Sequence, residues 1–147
     1  MEVKENKSGT PVSTDNSIVI QEAVIGLRAA RDKILVPYRQ FPQDDVDNNI
    51  VITFIQEIME DVRVIGETLT DIKMLMYYVG RQVRATTAKL DTPDNRDNAT
   101  LLMHKEALKG LAIDGNELRY AALDKLKVLQ QLYDGMKVLK SAVMGGW

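Results

Sequence analysis

Few side chains in this sequence are suited to chemistry, and their spacing narrows the choice further. There is a single histidine, His104. A Ser-His-Asp arrangement would have to use it, yet no G-x-S-x-G segment accompanies it. One imidazole cannot assemble a zinc site, and the residue three before it is Leu101, where a di-iron bundle places Glu. The chain has no cysteine, which excludes disulfides, thiolate nucleophiles, Fe–S clusters and Cys-based zinc sites.

Asp45-Val46-Asp47-Asn48-Asn49 opens in the manner of a calcium loop. Ile50 then stands where the turn requires Gly, and Gln56 where a bidentate Glu is required. The segment reads instead as a helix cap. Neither a Walker A run nor G-x-G-x-x-G is present to cradle a phosphate. Glu57 and Asp61 are spaced i, i+4, the pattern of a solvated helix face. These residues predict a protein that is not an enzyme and has no metal, no cofactor and no small-molecule substrate.

The elements that carry these residues are helical. Ser17 to about Val36 predicts a first helix, with Ser17 as N-cap, a stripe of Ile20, Ala23, Val24, Leu27, Ala30, Ile34 and Leu35, and Pro37 as its stop. A linker, PYRQFPQDDVDNN, follows. The strongest pattern runs from about residue 49 to 90: Val51, Ile55, Ile58, Val62, Ile65, Leu69, Ile72, Met76, Val79 and Val83 alternate at four and three, and Thr86 and Leu90 continue the register. With Val51 at heptad position d, the β-branched d residues disfavour a simple parallel dimer and point to a larger bundle. Gly66 and Gly80 fall at e, either as close-approach points or as neutral positions.

DTPDNRDN (91–98) is a turn by composition. A third helix follows from about 98 to 144, with a stripe of Leu101, Leu108, Leu111, Gly115, Leu118, Ala122, Leu126, Leu129, Tyr133, Met136 and Val143. Leu118, Ala122 and Leu126 are spaced 4-4, which reads as a stutter. Asp114-Gly115-Asn116-Glu117 reads either as a turn with a capping box or as mid-helix, and the stripe that crosses it favours one helix.

The fold expected is all-α: a long antiparallel, coiled-coil-like hairpin with a shorter third helix packed along it. A polar N-terminal arm (1–16) precedes the bundle (17–144), and a Gly-Gly-Trp tail (145–147) follows it. At 147 residues this is one domain. Nineteen basic against 21 acidic residues leave a net charge of −2, with no overall signature for nucleic acid or an anionic membrane surface. The arm lacks the apolar core of a signal peptide, and no run reaches the ~18 apolar residues of a spanning helix. A soluble protein is expected, cytoplasmic or part of a macromolecular assembly such as a virion.

Ile52, Phe54, Met59 and Leu75 widen the stripe of the second helix beyond one seam, so at least two neighbouring helices are implied. Tyr38 and Phe41 stand among polar linker residues, either packed back on the bundle or exposed for docking. Trp147 is a loose end or an anchor. These seven are the candidate partner contacts. The function expected is a non-enzymatic structural or assembly subunit of a larger complex (a virion, an injection or secretion apparatus, or a filament) that binds protein by self-association or through other subunits. The alternative is a small helical chaperone or adaptor that holds a client's amphipathic helix.

Overall fold

The computed structural model describes residues 15–43 and 46–143. Three helices account for most of them: α1 (Asn16–Ile34), α2 (Asn48–Leu90) and α3 (Ala99–Val143). No strand occurs among the described residues. The arm up to residue 14 and Trp147 lie outside them.

The first cap falls earlier in the chain than the sequence suggests. Asp15 is the N-cap of α1 and its carboxylate accepts the Ser17 N–H at 2.8 Å, so Ser17 lies inside the helix. An ionised carboxylate is the stronger acceptor and also complements the positive helix end. The stripe shifts accordingly. Val19, Ala23, Leu27, Ala30 and Ile34 are buried, whereas Val24 and Leu35 are exposed and Ile20 is half-buried. Asn16, assigned to the arm by composition, is a buried residue of the first turn.

In α2 the Asp47 carboxylate accepts the Ile50 N–H at 2.9 Å, so the calcium-like segment contributes a helix cap. The d positions Val51, Ile58, Ile65, Ile72, Val79 and Thr86 form the most buried line of the molecule. The a positions are covered less evenly: Leu69 and Leu90 are buried, whereas Ile55, Val62, Met76 and Val83 are only half-buried. On the opposite flank of d, the g positions Phe54, Thr68 and Gln82 are buried. The core seam is therefore rotated from a/d toward d/g, because a third element lies on the g side.

α3 is one unbroken helix through Asp114-Gly115. It has no stutter. Two buried lines run along it at regular four-three spacing, one through Leu108, Gly115, Ala122, Leu129 and Met136, the other through His104, Leu111, Leu118, Lys125, Leu132 and Leu139, whose members are buried or half-buried. Lys125 occupies the core register, while Leu126 stands half-buried beside it. The apparent 4-4 step came from following the apolar neighbour. At Gly115 a Cβ would fall on the Met76 side chain, and at Gly26 it would lie 2.6 Å from Leu75 Cδ1. Those two glycines admit close approach. At Gly66 nothing lies within 4 Å of an added Cβ, so the chain itself does not use that e position for contact.

α2 and α3 form the long antiparallel hairpin, each about 65 Å by rise per residue. α1 runs antiparallel to α2 along the half nearest the turn, with Asn16 beside Gln82 and Thr86. Its C-terminal end reaches Lys125, midway along α3. Beyond that point the linker takes over on the same side. Arg39 forms a bidentate pair with Asp61 (2.7 and 3.0 Å), and Phe41 meets Phe54 edge-on at 5.0 Å.

Candidate functional site

Of the residues singled out for chemistry, His104 belongs to a polar cluster between α1 and the hairpin. Asn16 Oδ1 accepts from Gln82 Nε2 at 2.6 Å and from Thr86 Oγ1 at 3.2 Å. Its Nδ2 is then left to donate to His104 Nδ1 at 3.3 Å, an arrangement that makes Nδ1 the unprotonated ring nitrogen. Asn16, Gln82 and Thr86 are all buried. Sliding α1 by one turn would break the bonds of Asn16 to Gln82, Thr86 and His104, so the cluster favours one register of α1 against the hairpin. Among the described residues, no group of three or more His, Cys, Asp or Glu is placed to hold a metal ion.

At the other end of α1, Lys125 Nζ donates to the carbonyl oxygens of Ile34 (2.8 Å) and Val36. Those carbonyls belong to the helix end and the turn after it, where no intrahelical N–H is available and the helix dipole is negative. The Tyr38 ring covers the ammonium at 5.0 Å. Burial pushes the Lys125 pKa below the ordinary lysine value, partly opposed by Asp61. α1 is thus held at both ends by polar contacts and along its length by small and aliphatic residues.

The candidate contacts separate into two groups on opposite flanks of α2. Phe54 is 4% exposed against Phe41, and Leu75 packs over Gly26, so these side chains are taken up by the linker and α1. Tyr38 is 42% exposed and serves as the lid over Lys125. Ile52 and Met59, on the e side, line an open trough of about 500 Å³ between α2 and α3 with Ile55, Tyr133, Lys137 and Lys140. Met59 is 52% exposed there. Glu57 and Asp61 both meet Arg39, at 3.8 and 2.7 Å, which fastens the linker to α2.

Sequence reasoning missed Asn16, Gln82, Thr86 and Lys125 as a set. The one available signal was the regularity of α3, where an uninterrupted four-three series from His104 to Leu139 requires Lys125 as a member. None of the helices among the described residues is long and apolar enough to cross a membrane. The chain matches no family model, no curated protein and no solved structure.

Proposed function

We propose that this chain is a non-enzymatic structural or assembly subunit of a larger protein complex. The observation that supports this is the unfilled flank of the hairpin. The trough at Ile52, Ile55, Met59 and Tyr133 is open, and four of the a positions of α2, Ile55, Val62, Met76 and Val83, are only half-buried. Contiguous exposed apolar surface is uncommon on monomers unless it serves a contact. The buried polar residues Asn16, Gln82, Thr86 and Lys125 meanwhile hold α1 in place, which suits a rigid part of an assembly.

The test is the mass of the protein in solution and in extract of its source cells, by light scattering and native mass spectrometry. The result expected is a defined complex larger than the 16.5 kDa chain, with fixed stoichiometry. A chain that stays monomeric at high concentration, with no stoichiometric partner in native extract, would overturn the assembly role.

A further inference from the structure

The face of the hairpin turned away from α1 has a charge pattern that the net charge of −2 conceals. Its position follows from the contacts. His104 and Lys125 reach α1, so their line on α3 faces that helix. The line on the other side of the buried Leu108–Met136 row, from Lys105 to Lys140, therefore faces the opposite way, and Tyr133 and Lys140 of that line border the trough with Ile52 and Ile55 of α2. This face thus consists of the a and e lines of α2 and the corresponding two lines of α3.

Lys73, Lys105, Lys109, Arg119, Lys137 and Lys140 lie on those four lines, and between Ile52 and Leu90 or Leu102 and Lys140 no Asp or Glu does. Among the described residues, only Lys109 of these six meets a carboxylate, Glu106 at 3.9 Å on the helix surface. Five of these cations are on α3 and Lys73 is on α2, and among them runs a half-buried apolar floor that includes Ile55, Val62, Met76, Val83 and Leu126. Gly66 and Gly80 make two low points in that floor, two heptads apart. A Cβ would meet nothing within 4 Å at Gly66, and only the Arg84 side chain at 3.6 Å at Gly80.

We infer that this α2–α3 face is the docking groove for one amphipathic helix of another protein, apolar along its seam and acidic along its flanks, which completes a four-helix bundle. An apolar floor with cations along it, most of them on α3, matches such a helix on both counts. A phosphate backbone would match the cations and leave the aliphatic floor uncovered. A second copy meeting the first through this face would set the same six cations against one another. The inference rests on the assembly role above and adds the face and the chemistry of the partner.

The probe is a synthetic helix about four heptads long, with Leu on its seam and Glu on its flanks, set against a sister peptide with Lys on its flanks. Binding is read by fluorescence anisotropy at low and high salt, and the site by hydrogen exchange. Selective binding of the Glu peptide is expected, weakened by salt, with protection along residues 52–90 and 102–140. The triple variant Lys73→Glu/Arg119→Glu/Lys137→Glu should bind it at least roughly tenfold more weakly, with an unchanged helical melt. Gly66→Leu/Gly80→Leu, which alters shape and not charge, should weaken it as well.

Equal binding of the two peptides, unimpaired binding by the triple variant, or protection on the α1 side would overturn the groove. So would preference for a polyuridine RNA or for phosphatidylserine vesicles over the Glu peptide. The two readings fail separately. A triple variant that still enters the native complex places docking elsewhere and leaves the assembly role standing. A parent chain that enters no complex yet binds the Glu peptide selectively ends the assembly role and keeps the groove.

Discussion

The two flanks of α2 began as equivalents and ended as opposites. On the g side, Phe54, Thr68, Leu75 and Gln82 are covered by the linker and α1. On the e side stand Ile52, Met59, Gly66, Lys73 and Gly80, where Met59 is about half-exposed and a Cβ added at Gly66 would meet nothing within 4 Å. The g side combines large apolar residues with polar ones that find partners inside. The e side combines two large apolar residues with two glycines and one lysine, which leave room for something else. A heptad repeat specifies a seam, and the residues beside it decide which neighbour approaches.

The largest difference between the flanks should come from truncating one large side chain on each. Phe54→Ala removes a buried ring and its edge-on partner, and should cost about 3–5 kcal/mol in urea unfolding. Met59→Ala should change the isolated chain by about 0.5 kcal/mol or less, because that side chain is half in water. Equal losses would mean that the e flank is covered as fully as the g flank.

Next in size is the polar lock on the g side. Asn16→Ala removes the oxygen that accepts from Gln82 Nε2 and Thr86 Oγ1, and should cost about 1–3 kcal/mol in the same measurement. A neutral result would remove the cluster from the register of α1.

Lys125→Met tests the other lock and carries a pH signature. Burial lowers the lysine pKa in the folded state below its unfolded value. The folded protein therefore holds this proton less tightly, and the penalty for the charged form is fully present below the folded pKa. As pH rises from there toward the unfolded value, stability from this group increases. The parent should gain on the Met variant over that alkaline window in paired thermal melts. A difference independent of pH would show that Lys125 titrates alike in both states.

The smallest expected effect contrasts two glycines. Gly66→Ala, in open space on a helix, should stabilise the isolated chain by about 0.5–1 kcal/mol. Gly115→Ala should give no such gain, because its methyl group meets Met76. Equal gains at both positions would erase the distinction between closed and open sides.

Legibility followed the strength of the repeat. The four-three series from Val51 to Leu90 made the long helix readable, and Pro37 and the Asp-Asn turn at 91–98 made its neighbours readable. What escaped was polar. Composition placed Asn16 in an arm and Lys125 outside the core, because an amide or an ammonium at a buried position is favourable only if a distant partner waits there. Those partners lie 66 to 91 residues away in sequence. No local window contains them.

Periodicity, caps and breakers therefore determined that this chain forms helices, roughly where each begins and ends, and that the second needs neighbours, since these are properties of adjacent residues on one helix surface. The tertiary structure decided which flank of that helix faces inward. It also decided that a lysine in the core register serves as a helix cap, and that cations scattered through a nearly neutral sequence line one face. Each of these depends on where α1 comes to rest, and that is settled by packing and by hydrogen bonds between residues far apart in the chain.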